Sequence, residues 1–335
     1  MKIFQNYIAH IPYEVYETLL GENIIDGLKF PGTGASPDAN QAFIDLVQNL
    51  GCLVDNHGWN GITGQLHDPH LCDHITDFSN LESYLNLPNA WKLSSHIGTR
   101  PQNLPNHEIS QQEFDAILLT NLKKLRETIL KLTGKDATIC GEGLFAYYFD
   151  PRTITPSFLN RTLKSSGLNS GLDGLVLDIC HSTIAAKFME KCRTKGSYSF
   201  HDYVSDLDKD QIKIIHLSGS SSSNNLLDSI TNDFTDDDNL DPHLRSTFQD
   251  FLTLRQLLRI CPNVEQISNE IAYSEDFGNP VTLFDYSFEA ILTWFTITNP
   301  SCDMESLTYV SNYIANKLHR NCDNLYEVII TCKHF

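Results

Sequence analysis

The stretch Gly174-Leu175-Val176-Leu177-Asp178-Ile179-Cys180-His181 decides the reading of the whole chain. A glycine and three aliphatic residues run directly into an acid, and a histidine follows three positions later. A continuous apolar run bounded by glycine predicts a strand buried on both faces, as in a parallel sheet. An Asp and a His at its carboxy-terminal end fall where a parallel barrel keeps its active site. The plainer reading makes Asp178 the cap of the next helix and His181 a partly buried core residue. The functional reading gains weight because the same pattern recurs along the chain.

Lys2 to Ile8 and Ile24 to Phe30 read as the first two strands. Cys52 to Asn56 delivers His57, Trp91 to Ser95 delivers His96, and Ala137 to Gly141 delivers Glu142. Beyond the opening stretch, Gln211 to Ile215 delivers His216 and Val264 to Ser268 delivers Glu270. Helical patterns separate these runs. Ser36-Pro37 opens one with Phe43, Leu46, Val47 and Leu50 as its stripe, and Gly51 closes it. Ser110-Gln111-Gln112-Glu113 is a capping box, and Gly134 ends the helix it opens, with Phe114, Ile117, Leu118, Leu122, Leu125, Ile129 and Leu132 on one face. Thr155-Pro156 caps another, and Leu81–Leu87, Leu244–Ile260 and Leu283–Thr298 complete the set. Eight strands alternating with helices predict an α/β TIM (β/α)8 barrel over 1–299, at about the ~250-residue size of that fold plus insertions. Residues 300–335 then form an extension packed on the barrel, a helix followed by a strand over Leu325 to Thr331. A doubly wound open sheet fits less well, because no Gly-rich phosphate loop follows the first strand.

Strands three to eight each end in His, Asp or Glu, and Asp241-Pro242-His243 adds two more at the end of a long Ser/Asn- and Asp-rich loop. The candidates are His57, His96, Glu142, Asp178, His181, His216, Asp241, His243 and Glu270: five imidazoles, four carboxylates and no thiolate. Crowded carboxylates repel and protonate unless cations neutralise them. Two divalent ions balance four carboxylates, and a third leaves positive charge for an anionic substrate or hydroxide. Nitrogen and oxygen donors without sulfur suit iron, zinc or manganese.

The net charge of −18, from Asp+Glu 42 against Lys+Arg 24, predicts a surface that repels phosphate backbones, so nucleic acid is disfavoured as a general partner. No run of residues is apolar for the length a membrane span needs, and Met1 to Glu14 does not read as a signal peptide. Nine cysteines without CxxC pairs fit a reducing compartment, so the expected location is the cytoplasm.

Leu177-Asp178-Ile179-Cys180-His181, Ile215-His216-Leu217, Asp241-Pro242-His243 and Glu270 resemble the metal motifs of the xylose-isomerase-like TIM barrels. Two families there share this layout. One, the zinc-dependent AP endonucleases, uses the same nine residue types in the same order around three metals. The other, the multinuclear non-heme iron-dependent oxidative enzymes of the methanobactin-biosynthesis type, modifies cysteine-containing peptides that a partner protein often presents. His216-Leu217-Ser218-Gly219 resembles the His-Leu-Ala-Gly motif of the second family. Ser95-His96 stands where that family has Asp-His, Glu142-Gly143 where it has Glu-Asn, and Ile271-Ala272 where it has charged residues. His181 replaces its usual Asn and follows the endonuclease pattern. With an acidic surface, the resemblance implies an iron- and oxygen-dependent oxidoreductase holding two or three ions, with Glu142, Asp178 and Glu270 as catalytic candidates. Its substrate would be a peptide cysteine, brought by a presenting protein. The alternatives are a zinc or manganese phosphodiesterase and a metal-binding barrel without turnover.

Other motifs weigh less. His67-Asp68-Pro69-His70-Leu71-Cys72-Asp73-His74 is dense in ligand types, but Pro69 spoils a shared helical face, and the stretch reads as a solvated loop. Phe145 to Phe149 either walls the pocket or packs the barrel top, and Cys180 reads as packing.

Overall fold

The computed structural model describes residues 1–30, 37–57, 66–71, 86–98, 109–143, 154–167, 170–192, 197–219, 244–272, 279–319 and 322–335. Its strands are β1 Lys2–Asn6, β2 Gly27–Lys29, β3 Leu53–His57, β4 Lys92–Ile97, β5 Thr138–Gly143, β6 Gly174–Asp178, β7 Ile212–Leu217 and β8 Gln266–Asn269. All pair in parallel with their sequence neighbours, and β8 pairs with β1, so the sheet closes into an eight-stranded barrel. The expected (β/α)8 architecture is therefore the observed one.

The helices are α1 Tyr13–Gly21, α2 Pro37–Leu50, α3 Gln111–Thr133, α4 Pro156–Arg161, α5 Ile179–Cys192, α6 Phe200–Asp206, α7 Phe248–Ile260 and α8 Leu283–Thr298, followed by α9 Met304–Lys317 and α10 Leu325–Cys332. Local chemistry sets their ends. Ser110 and Glu113 form the expected capping box, and Gly134 ends α3 in the left-handed conformation at φ 67. The helix anticipated from Leu244 starts only at Phe248, because Thr247 and Asp250 make a second capping box there. Leu325–Cys332 is a helix, where a strand had been expected. Its buried Leu325, Val328, Ile329 and Cys332 repeat at helical spacing and bury one face in the domain core. That core, between the barrel and its helices, runs unbroken from Ile3 to Cys332, so the 300–335 extension shares it.

Side chains alternate along each strand, with one set lining the barrel. Cys140, Val176 and Ile214 form a small apolar cluster of their own. A cavity of about 280 Å³ is lined by strand starts such as Lys2, Leu53, Lys92, Thr138 and Gln266, and by Phe4, Asp55 and Ser94 deeper in. It lies in the amino-terminal half, away from the expected site. At the closing seam, Asn269 donates to Gln5 Oε1 at 2.6 Å and accepts from Thr293 Oγ1 at 3.0 Å, tying β8 to β1 and to α8 just before Glu270. Among the described residues no disulfide is present, and no helix is long and apolar enough to cross a membrane.

Candidate metal centre

Parallel register sets neighbouring strand ends at one height. His96 pairs with Glu142 across β4 and β5, Asp178 pairs with His216 across β6 and β7, and Glu270 follows Asn269, the partner of Leu217. His57 is the last residue of β3, and His181 lies in the first turn of α5. These seven expected residues converge at the carboxy-terminal mouth. Asp241 and His243 lie outside the described residues.

Three overlapping groups of donor atoms result, each within 4.8 Å: His57–His96–Glu142, His57–His216–Glu270 and Glu142–Asp178–His181. Glu142 is the hub. Its carboxylate oxygens lie 2.7 Å from His181 Nδ1, 3.0 Å from His216 Nδ1, 3.6 Å from His57 Nε2 and 3.8 Å from His96 Nε2. His216 Nδ1 is also 2.9 Å from Glu270 Oε1. Most of these side chains are buried; His96 is the most open, at 25 %.

The electrostatics follow from this crowding. Burial pushes the Glu142 carboxyl up, but the His216, His57 and His96 rings, with His181 close beside it, hold it well below its ordinary value. Burial, reinforced by the Lys29 charge, drives the His57 imidazole well below its ordinary value, toward the neutral form that offers a lone pair to a metal. His57 Nδ1 lies 2.8 Å from Ser94 Oγ, which turns Nε2 toward Glu142. Asp178 serves both readings made of it: Oδ1 accepts from the His181 backbone N–H at 2.6 Å, capping α5, and the same carboxylate belongs to the cluster.

The donor set fits divalent ions. Both oxygens of Glu142 and both ring nitrogens of His216 are buried and make no hydrogen bond, although they face one another at ion-pair distance. Buried polar atoms of this kind are costly unless something else satisfies them, and a cation held between them does so. Cysteine enters none of the three groups among the described residues.

Two features escaped the sequence reading. Lys29 ends β2 inside the cluster, its side chain only 7 % exposed and ion-paired with Glu270. The strand read as Ile24 to Phe30 ends at Lys29, and an ammonium is not a metal ligand. Glu289 of α8 accepts from the Ser246 backbone N–H at 3.0 Å, and Asp285 pairs with Arg245 at 2.8 Å. Gly219 donates to Leu244 O at 2.7 Å, so the points where the chain leaves β7 and returns are pinned together.

The remaining expectations sort clearly. His67 is a core residue and not part of a solvated loop: it is fully buried, accepts from the Gly98 backbone N–H at 3.1 Å, and packs 5.3 Å from the rings of both Phe114 and Phe158. His70 is exposed, and neither joins a donor group. Asp73, His74, Phe145 to Phe149 and most of Leu81–Leu87 lie outside the described residues. Gly143 points away from the cluster, since a Cβ there would meet Leu159 at 3.1 Å and the Tyr203 hydroxyl at 3.7 Å. Strand alternation likewise puts Ser95 on the face of β4 opposite His96. Ile271 is fully buried in the core.

Fold and cluster together define a (β/α)8 barrel with a buried histidine–carboxylate cluster at its carboxy-terminal mouth. No protein-family model and no curated protein matches the chain. Among solved structures it is similar to a D-psicose 3-epimerase with D-tagatose from Clostridium cellulolyticum H10, at 12% identity over 94% of this chain and 97% of that one, with a TM-score of 0.43. It is also similar to a D-allulose 3-epimerase from Methylomonas sp. in two structures, both at 12% identity. In complex with D-allulose the match covers 80% of this chain and 83% of that one, with a TM-score of 0.41. With additional C-terminal residues it covers 90% and 98%, with a TM-score of 0.49. The barrel assignment rests on the strand pairing above and not on these likenesses.

Proposed function

We propose that this barrel is a multinuclear metal-dependent enzyme that carries out iron- and oxygen-dependent oxidative modification of a cysteine in a peptide presented by a partner protein. One observation carries the multinuclear reading: Glu142 belongs to two of the three donor groups, and its two carboxylate oxygens can serve two ions at once. The choice of iron and of a thiol substrate rests on the motif resemblance of His216-Leu217-Ser218-Gly219 and its companions, and on an acidic chain unsuited to phosphate backbones.

In this reading His57, His96 and Glu142 would hold one ion, and Glu142, Asp178 and His181 another. Asp241 and His243 are proposed as further ligands. Iron, when bound, supplies the redox chemistry with oxygen and a position for a thiolate. The chain contributes the rest. Ser94 orients His57, and burial keeps its imidazole neutral. His96, the most open donor, marks the side from which a peptide approaches.

A zinc hydrolase of the phosphodiesterase type is the second reading. The observation that favours it is His181, the endonuclease-pattern residue, fully inside the cluster at 2.7 Å from Glu142. Metal analysis of freshly purified protein with iron spectroscopy separates the two. Iron, with oxygen-dependent loss of thiol from a cysteine-containing peptide, supports the oxidative reading. Zinc, with abasic-DNA cleavage that needs no oxygen and is lost in Glu270→Ala, puts the hydrolase first. Full loading with neither activity leaves a barrel that binds metal without turnover.

A further inference from the structure

Lys29 ends β2 as the histidines and acids end the other strands, and its ammonium is ion-paired with Glu270 inside the cluster. A lysine side chain only 7 % exposed is seldom found unless its charge is paired. The three donor groups are not equivalent in this respect. Two of them contain Glu142, and among the described residues the ion pairs of its carboxylate are to histidines. The third, His57–His216–Glu270, is the one whose carboxylate Lys29 occupies. A fixed ammonium and a divalent ion compete for the same carboxylate oxygens, and at ion-pair range they repel each other.

We propose that Lys29 is a built-in cation standing in for a third metal, so that the barrel takes two divalent ions around Glu142 and reserves Glu270 for the lysine. This rests on the metal-centre reading above and sharpens it from two or three ions to two. The charge balance agrees. Of the described cluster carboxylates Glu142, Asp178 and Glu270, the lysine neutralises one, and two divalent ions leave a positive surplus for an anionic group such as a thiolate.

The test is metal stoichiometry on the full chain, stripped by chelator and then titrated with zinc as a redox-silent probe. Bound metal is measured by elemental analysis after gel filtration, in wild type, Lys29→Met and Lys29→Arg. The expected result is two ions per chain in wild type and in Lys29→Arg, and three in Lys29→Met, where the near-isosteric side chain removes the ammonium from Glu270. A melting series reads the same effect another way. Metal-free Lys29→Met should melt below metal-free wild type, and its rise on adding zinc should exceed the wild-type rise. Three ions in wild type would overturn the proposal while leaving the metal centre standing. So would two ions in every variant with equal zinc-induced rises. Binding of no ion by the folded wild type would overturn both. The wild-type count decides even if Lys29→Met does not fold.

Discussion

Glu142→Gln is the most informative single change, because it keeps the shape of the side chain and removes only the charge and one oxygen acceptor. Glu142 belongs to two of the three donor groups, and the third contains the carboxylate paired with Lys29. The substitution therefore strikes both groups available to an ion at once. The magnitude follows from linkage: metal at a hundred times its Kd stabilises the folded chain by about 2.7 kcal/mol. For a large domain each kcal/mol moves the melting temperature by about 2–4 °C, so each ion bound should raise the wild-type melting temperature by roughly 5–10 °C. The quantity to compare is that rise, measured by calorimetry with and without zinc after chelation. Taking the difference removes whatever the substitution does to the metal-free protein, where Glu142 already faces four imidazoles. Glu142→Gln should show almost no rise and a metal content near zero. A rise and a metal content equal to those of wild type would refute the hub role of Glu142.

Three further changes test parts of the fold that support the site. Burial pushes the Glu289 carboxyl from 4.5 up to about 8. Such a group binds its proton more tightly in the folded than in the unfolded chain, so its stabilisation is complete below about pH 4.5 and is lost as the pH rises toward about 8. Glu289→Gln should flatten the fall in melting temperature across that window, and an unchanged slope would show that Glu289 does not titrate there. His67→Ala should lower stability by about 2–4 kcal/mol through the hole left between Phe114 and Phe158, with metal content unchanged; loss of metal would return His67 to the ligand set. A Cβ on Gly27 would collide with the carbonyl oxygen of Leu53 and approach Phe4 Cε1 at 2.8 Å. Gly27→Ala should therefore cost about 1–3 kcal/mol in denaturant unfolding, and a neutral result would mean that β2 and β3 can part without penalty.

The barrel was legible because strands buried on both faces read as short apolar runs, and because each run stopped at a chemically distinct residue. The strand ends drifted by a residue or two: His96 and Glu142 lie within β4 and β5 and not just beyond them. The drift did no harm, since parallel register keeps such residues at one height. What stayed illegible depended on partners distant in sequence. Leu325 to Thr331 carries β-branched residues that suit a strand, and only docking against the core makes it a helix. The burial of His67 needed Phe114 and Phe158, which no local pattern announces. Lys29 was visible as a letter, but its meaning depended on Glu270, which the chain reaches only at its last strand. Asp178 shows why a plain and a chemical reading need not compete, since one carboxylate caps a helix and lines the cluster.

The seam between β1 and β8 has a consequence in time. Asn269 meets Gln5 across a separation of 264 residues, and Glu270 stands immediately behind that contact. Closing so long a loop comes late in folding, since its entropy must be met before the contact rewards it. A chain emerging from the ribosome amino-terminus first presents His57, His96, Glu142, Asp178 and His181 on an open, curling sheet before Glu270 exists. The complete cluster, with Lys29 and Glu270 in contact, therefore exists only once the first and last strands have met. An ion captured on the unfinished sheet would find a different set of donors from the one the finished barrel presents.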